Sequence, residues 1–78
     1  TADTTKISSG DSKLANKLYN ESLELFNGNK LIEAIAMVNK AIALNPEFAK
    51  AYYNRACFKL QLNRPDEAIA DYTKAIEL

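Results

Sequence analysis

Few side chains in this sequence are of the types that carry out catalysis. The chain has no histidine, which removes the commonest general base and metal ligand. The one cysteine, Cys57, therefore has no imidazole partner that could activate it as a nucleophile. No Cys, His or carboxylate cluster indicates a metal site, and no glycine-rich loop could hold a phosphate. We therefore expect neither a metal nor a cofactor.

Paired carboxylates are the remaining catalytic option, and acid–base chemistry by such a pair stays open on the sequence alone. The candidates are Glu21, Glu24, Glu33 and Glu67. Their positions are typical of the solvated faces of helices. The sequence therefore favours a protein that is not an enzyme.

The elements that must position these side chains are amphipathic helices. Apolar residues form one stripe, at i, i+1, i+4, i+7 and i+8, over Ala34, Ile35, Val38, Ala41 and Ile42. The stripe returns over Ala68, Ile69, Tyr72, Ala75 and Ile76. Alanine on such a stripe lets a second helix approach closely because no larger side chain fills the gap. We expect Ile69, Tyr72 and Ile76 to serve the core of their own hairpin.

Turn signals divide the chain into four predicted helices, and the first begins after a cap at Asp11 or Ser12. It ends at Asn27-Gly28-Asn29, with Gly28 in the left-handed conformation. The later helices, bounded by Asn45-Pro46 and Asn63-Arg64-Pro65, span about 30–44, 47–62 and 65–78. The inward residues expected of the first and third helices are Leu14, Leu18, Ser22, Leu25, Phe26, Phe48, Tyr52, Ala56 and Leu60.

The chain repeats itself without a gap at an offset of 34 residues. Identical pairs include Ala15/Ala49, Tyr19/Tyr53, Asn20/Asn54, Asn29/Asn63, Glu33/Glu67, Ala34/Ala68, Lys40/Lys74, Ala41/Ala75 and Ile42/Ile76. Chance rarely keeps so many identities in one register. The second half is therefore interpreted as a copy of the first.

A helix–turn–helix unit of this length resembles the tetratricopeptide repeat (TPR) family. The resemblance covers residues 15–78, and the residues that carry it are Ala34, Val38, Ala41, Asn45-Pro46, Ala68, Tyr72 and Ala75. It implies an all-α fold of two stacked helix–turn–helix units, a fragment of a right-handed α-solenoid. Repeat 1 would span about 15–48 and repeat 2 about 49–78. Departures from the family pattern are Glu21 and Arg55 for leucine, Leu25 and Lys59 for tyrosine, and Pro65 for an aromatic residue.

The resemblance also implies a concave groove, lined by the first helix of each repeat, in which partner peptides lie. The groove candidates are Asn16, Tyr19, Asn20, Leu23 and Asn27 in repeat 1, and Lys50, Tyr53, Asn54, Cys57 and Gln61 in repeat 2. Their helical spacing places the first five on a stripe separate from the core stripe. Amide side chains both donate and accept hydrogen bonds, which suits the backbone of an extended peptide. We expect a protein-interaction module, a scaffold or adaptor, although this stripe could instead be a solvated face.

Some members of the family hold the terminal carboxylates of chaperone tails in a clamp of lysine, asparagine and arginine side chains. Taken as first and second repeats, this chain would match that clamp only at Asn54. Taken as second and third repeats, it would match at Asn20 and Lys50, with Asn54 in place of the arginine. The arginine fork that grips a carboxylate is missing, so the sequence disfavours this clamp.

Self-association is the alternative function. The fourth predicted helix ends the chain without the extra helix that usually covers the last repeat of the family, and arrays need polar ends. Ala68, Ala75 and Leu78 could then accept a helix of another copy, giving a homo-oligomer. Glu21 and Arg55 occupy equivalent places and could pair within one chain or between two.

Composition bounds the remaining possibilities. Seventy-eight residues allow one small domain, predicted over 12–78, with residues 1–11 as a flexible polar tail that could reach the groove. Lys and Arg total 10, as do Asp and Glu, so the basic footprint of a nucleic-acid binder is lacking. No apolar run is long enough for membrane insertion. The start at Thr1 suggests a processed or excised piece, and the lone cysteine slightly favours the cytoplasm.

Overall fold

The computed structural model describes residues 9–78, which fold into two helical hairpins. The four helices of this part are α1 (Ser9–Asn27), α2 (Leu31–Leu44), α3 (Ala49–Gln61) and α4 (Pro65–Glu77). α1 packs against α2, α3 packs against α4, and the two hairpins meet where α3 lies against α2. The predicted all-α fold of two stacked helix–turn–helix units is confirmed. The tail predicted for residues 1–11 falls mostly on residues 1–8, outside the described residues.

The starts of α1 and α3 differ from the predicted ones by a few residues, whereas α4 starts at the predicted Pro65. α1 begins at Ser9, so Asp11 and Ser12 lie in its first turn and the predicted cap at these residues is wrong. α4 starts with Pro65, whose fixed φ and missing N–H suit the first helical position. α2 stops at Leu44, where the Asn45 side-chain oxygen accepts a hydrogen bond from the Glu47 backbone N–H at 3.2 Å. This local turn leads the chain from the first hairpin into the second.

One asparagine lies just after the first helix of each hairpin and closes its C-terminal end. Asn29 and Asn63 have φ of 62° and 61°, in the left-handed region, whereas no glycine among the described residues has positive φ. The Lys30 N–H bonds the Leu25 carbonyl at 2.8 Å, and the Arg64 N–H bonds the Lys59 carbonyl at 2.9 Å. These are the long hydrogen bonds of a Schellman motif, which satisfy carbonyls that the helix leaves unpaired. The prediction that Gly28 adopts this conformation is wrong, because the motif closes one residue later.

The core lies where α3 meets the first hairpin. Ala34, Val38, Ala51 and Phe58 form its buried cluster, and side chains of α1 and α2 pack around it. Alanines at the helix contacts allow the close approach that the stripe predicted. Ser22 is also fully buried, and its hydroxyl donates a hydrogen bond to the Tyr19 carbonyl at 2.6 Å. Its polar group therefore remains satisfied inside the hairpin.

Four large residues expected to point inward are exposed instead. Leu14, Leu60, Ile69 and Ile76 keep between 45% and 85% of their surface accessible. Ile35 and Ile42, which precede Ile69 and Ile76 by one repeat, pack against the core because α3 lies over them. No helix within residues 9–78 lies over the second hairpin in the same way. The apolar pattern therefore identified which residues share one face of each helix, but the prediction that these four residues would be buried is wrong.

Candidate peptide-binding groove

The contact between α1 and α3 sets the shape of the candidate groove. The ring of Tyr19 lies 5.0 Å from that of Phe48. The Asn54 side-chain amide donates a hydrogen bond to the Tyr19 hydroxyl at 2.6 Å and another to the Lys50 carbonyl at 3.0 Å. Burial raises the pKa of Tyr19, and the hydrogen bond from Asn54 offsets only part of that rise. Tyr19 and Asn54 thus hold the two repeats together at the floor of the groove.

A mainly apolar cleft of about 620 Å³ opens beside this contact. It is lined by Tyr19, Ala49, Lys50, Tyr53, Asn54, Tyr72, Ala75 and Ile76. The rings of Tyr53 and Tyr72 meet edge to face with their centroids 5.4 Å apart, a favourable arrangement for aromatic side chains. Its volume is in the range of cavities that hold small ligands or buried side chains. We call it the apolar cleft.

Tyr72 lines the apolar cleft, and its hydroxyl contacts the one cysteine of the chain. The Cys57 sulfur is 3.4 Å from the Tyr72 hydroxyl oxygen. This hydrogen bond, together with burial, raises the pKa of Tyr72 to about 12. The phenol is therefore neutral at physiological pH and offers polarity without charge.

A second, more polar cleft adjoins the first. It has a volume of about 390 Å³ and is lined by Asn16, Tyr19, Asn20, Asn45, Glu47, Phe48, Ala49 and Lys50. Tyr19, Ala49 and Lys50 line both clefts, so the two form one continuous surface. We call this second part the polar cleft, and the two together the groove. Exposed amides, the cation of Lys50 and the carboxylate of Glu47 thus lie next to the apolar cleft.

The structure brings some of the predicted groove residues together and leaves others apart. The predicted residues that line the two clefts are Asn16, Tyr19, Asn20, Lys50, Tyr53 and Asn54. Those that line neither are Leu23, Asn27, Cys57 and Gln61. Leu23 instead packs against the core, and Cys57 contacts Tyr72.

The residues expected to pack the repeats also divide into two groups. Ala34, Val38, Ala41 and Ala68 are fully buried. Tyr72 and Ala75 are half-buried and line the apolar cleft together with Ile76. Sequence reasoning missed this contribution of α4 to the groove. One signal could have found it: Tyr72, with its polar tip, stands where repeat 1 has the buried Val38.

A cluster of charged side chains ties α3 to its neighbours away from the groove. Arg55 donates two hydrogen bonds to Asp71, at 2.7 and 2.8 Å, and a third to the Asn39 side-chain oxygen at 2.9 Å. Lys59 lies 3.0 Å from Asp71. Arg55 therefore does not take Glu21 as its partner within the chain. Its three bonds connect α3 to both α4 and α2.

Protonation in this cluster follows from the competition between burial and hydrogen bonding. Burial alone would raise the pKa of Asp71, but the hydrogen bonds from Arg55 and Lys59 lower it below its ordinary value of 3.8. The hydrogen bond to Asp71 also raises the pKa of Arg55 above its ordinary value. Both partners thus stay charged at neutral pH, and the contact is a structural ion pair.

Other classes of site find no support in the described residues. Residues 9–78 contain no group of three or more His, Cys, Asp or Glu side chains close enough to hold a metal ion. None of the helices in this range combines the length and apolarity needed to cross a membrane. The groove is therefore the strongest candidate site in this part of the chain.

Two stacked helical hairpins, with clefts along the first helices, are the architecture of a helical repeat protein. Residues 49–78 match the family model for the tetratricopeptide repeat. This part of the chain therefore belongs to the tetratricopeptide repeat family, which confirms the family that the two-fold register predicted.

Known proteins with related sequences include two with nearly the same name. The chain is 41% identical over 68 residues to Hsp70-Hsp90 organizing protein 1 of Glycine max, covering 87% of this chain and 12% of the relative. It is 40% identical, over the same shares, to Hsp70-Hsp90 organizing protein of Triticum aestivum. It is also 38% identical to Protein O-mannosyl-transferase TMTC3 of Homo sapiens over 52 residues, or 67% of this chain and 6% of the relative. The chain thus spans a small part of the length of these relatives.

Proposed function

We propose that this protein-interaction module binds a peptide segment of a partner protein along the groove. The observation that carries the proposal is the junction of the apolar and polar clefts at Tyr19, Ala49 and Lys50. A peptide crossing this junction can bury one side chain and hydrogen-bond its backbone nearby. The family and the organizing-protein relatives likewise point to protein interaction rather than catalysis.

Each part of the groove has a distinct role in this proposal. The apolar cleft receives a large apolar side chain between Tyr53, Tyr72 and Ile76. Asn16 and Asn20 are exposed on the polar cleft, and their amides can bond the N–H and C=O groups of an extended peptide. Lys50, also exposed, attracts a carboxylate of the peptide. Tyr19 and Asn54 already bond each other, so they shape the groove more than they bind the ligand.

Among the described residues, Lys50 is the only cation and Glu47 the only carboxylate that line the two clefts. Lys50 lines both clefts whereas Glu47 lines only the polar one, so the proposal places a carboxylate of the ligand at Lys50, near the apolar cleft. A clamp for two carboxylates, such as those in some family members, has little support because no arginine fork faces the groove. The names of the plant relatives connect those proteins with Hsp70 and Hsp90. For this chain we propose protein partners whose recognised segment carries an apolar residue beside an acidic one.

The proposal is tested by selecting peptides from a random library and measuring the affinity of the best binder by fluorescence anisotropy. We expect Lys50→Glu and Tyr53→Ala each to weaken binding by about tenfold, since each removes one of the two anchor contacts. Lys40→Glu is the matched charge control, because Lys40 is exposed on α2 and lines neither cleft. Equal affinity for all variants, or no binder in the library, would contradict the proposal.

Self-association is a second candidate because α4 exposes a large apolar surface. Ile69, Ile76 and Leu78 keep 62%, 85% and 47% of their surface accessible. Sedimentation equilibrium separates the two candidates. A mass of 8.7 kDa at all concentrations leaves the groove as the function, whereas a mass that grows with concentration supports self-association.

A further inference from the structure

The pair Asn27-Gly28 has a chemistry that neither the core nor the groove uses. Asn27 is the only asparagine of the sequence that is followed by glycine. Because glycine has no Cβ, its backbone nitrogen can approach the side-chain carbonyl carbon of the preceding asparagine without steric hindrance. Asparagine is among the thermolabile residues of proteins. The pair is therefore a candidate site for spontaneous deamidation.

Both residues of the pair are open to solvent, which matters because deamidation consumes water. Asn27 is the last residue of α1, and Asn27 and Gly28 are both exposed. A Cβ added to Gly28 would meet the backbone oxygens of Glu24 and Leu25 at 3.5 and 3.6 Å, which are ordinary contacts. Helix ends open more readily than the packed core of a fold. The pair thus lies where the reaction is accessible.

The closed end of α1 opposes this reaction. The backbone N–H of Gly28 donates hydrogen bonds to the carbonyls of Glu24 and Leu25 at 3.0 and 3.1 Å, and the Lys30 N–H closes the same turn. Asn27 belongs to the helix, whereas joining its Cγ to the next backbone nitrogen requires a ψ far from the helical value. The reaction must therefore wait until this turn opens.

The second repeat closes the equivalent turn without a reactive pair. Gln61 and Leu62 follow Asn27 and Gly28 by one repeat. The backbone N–H of Leu62 makes the equivalent two hydrogen bonds, at 3.1 Å each. Glutamine would have to form a larger ring, and the leucine side chain hinders attack by its own nitrogen. The turn therefore does not need the Asn-Gly pair, and the second repeat is an internal control.

We propose that Asn27 is a deamidation site whose rate is set by local opening of the last turn of α1. In the open turn the Gly28 nitrogen loses its proton and attacks Cγ of Asn27. The bond from Cγ to the side-chain nitrogen breaks, ammonia leaves with that proton, and a five-membered succinimide remains. Water then opens the ring, giving aspartate by cleavage at Cγ or isoaspartate by cleavage at the main-chain carbonyl. The reaction needs water and neither an oxidant nor a reductant.

Either product weakens the end of α1. The last turn of this helix has no basic residue, and Glu24 lies three positions before Asn27. A new carboxylate there meets the negative end of the helix dipole and a like charge on the same face. Isoaspartate also adds a methylene group to the main chain, which displaces Lys30 from the Leu25 carbonyl. Deamidation thus converts a transient opening into a permanent loss of the turn.

The test follows deamidation of the intact 78-residue protein at mildly alkaline pH by peptide mapping with mass spectrometry. A peptide of residues 21–32 is the unfolded reference, since so short a segment is not a stable helix. We expect reaction at Asn27 alone, at least about tenfold more slowly in the protein than in the peptide. Gly28→Ala should slow the reaction about tenfold in both, because the added methyl group hinders the attack.

Two matched variants decide whether the opening is local. Asn29→Ala removes the left-handed asparagine that closes the α1 turn, and Asn63→Ala removes its equivalent after α3. We expect Asn29→Ala to accelerate deamidation of Asn27 in the protein about fivefold, and to leave the rate in the peptide unchanged. Asn63→Ala should change the rate in the protein by less than about twofold, because it weakens a different turn.

Three results would overturn the proposal. These are no reaction at Asn27 in the intact protein, equal rates in the protein and the peptide, and equal acceleration by the two asparagine variants. The last result would mean that Asn27 reacts only after global unfolding. Deamidated protein, separated by anion exchange, should also unfold at a lower urea concentration than unmodified protein, and an unchanged midpoint would contradict the weakening of α1.

This inference is independent of the peptide groove. Asn27 and Gly28 line neither of its two clefts. Lys50→Glu should weaken the selected groove peptide and leave the deamidation rate of Asn27 unchanged. Each proposal can therefore fail while the other stands.

Discussion

Single residues just after the first helix of each repeat determine how that helix ends. Asn29 and Asn63 are identical across the two repeats, and both adopt a left-handed conformation that closes the same hydrogen-bonded motif. Asparagine tolerates this conformation better than most residues with a side chain. The sequence showed the identical pair, but two residue types in Asn27-Gly28-Asn29 could fill the role. Which one does so depends on where the helix ends, and composition does not decide that.

A pair of substitutions tests this assignment. Asn63→Ala should lower the free energy of unfolding by about 1 kcal/mol, since alanine is strained at positive φ. Gly28→Ala should leave stability unchanged or raise it by about 0.5–1 kcal/mol, because Gly28 does not use positive φ and an added Cβ would meet only ordinary contacts. Urea unfolding followed by circular dichroism measures both. The assignment would be contradicted if Gly28→Ala lowered the free energy of unfolding while Asn63→Ala left it unchanged.

The candidate site was partly predictable at the residue scale. The family resemblance named Asn16, Asn20, Lys50 and Tyr53 as groove candidates, and helical spacing supported the grouping within the first helix, because side chains three, four and seven positions apart share one face. They could not identify Tyr72 and Ile76 as part of the same site. These residues come from another helix, and their place depends on how two hairpins pack. Spacing within one helix contains no information on that contact.

Helices and the contacts between them form the next scale. The apolar stripes predicted four helices because burial of one face determines helical periodicity. They did not predict that Ile69 and Ile76 would be exposed, because a stripe marks a face without stating what covers it. The pairing of Arg55 with Asp71 could not be predicted from the sequence either. Repeat 1 has Glu21 and Met37 at the equivalent positions, so the register gave no sign of an ion pair.

Removing the carboxylate of this ion pair should loosen α3 from α4. We expect Asp71→Asn to lower the free energy of unfolding by about 2–3 kcal/mol, because two cations lose a partly buried hydrogen-bonded partner. A domain this small has only ~3–5 kcal/mol to lose. Thermal unfolding at neutral pH measures the change. Glu67→Gln is the control: its carboxylate is half exposed, so the effect should stay below about 1 kcal/mol.

The pH dependence of stability provides an independent check. The pKa of Asp71 is lowered by folding, so its contribution is complete well above 3.8 and is lost as the pH falls through the lowered native value. The wild-type protein should therefore lose stability on acidification in this range more steeply than Asp71→Asn does. Parallel curves of unfolding free energy against pH would contradict this role of Asp71.

The whole molecule presents two surfaces with different characters. The described residues form a flat body whose principal extents are 38 × 23 × 13 Å. The groove combines exposed amides, the opposite charges of Lys50 and Glu47 and an apolar cleft. The exposed side of α4 carries Ile69 and Ile76, whereas α1 exposes charged side chains such as Lys17. Family resemblance predicted the overall architecture, since a repeated stripe fixes how equivalent helices pack. The two repeats differ in surface character where equivalent residues differ, for example where α1 has Lys17 and α3 has Ala51.

The central claim is that the groove formed by the two clefts is the recognition surface. Backbone amide chemical shifts of the ¹⁵N-labelled protein, recorded while a selected peptide is added, test it most directly. We predict the largest changes at Asn16, Asn20, Lys50, Tyr53 and Ile76, and little change around Arg55 and Asp71. Changes confined to the Arg55–Asp71 side, with the groove residues unmoved, would contradict the claim.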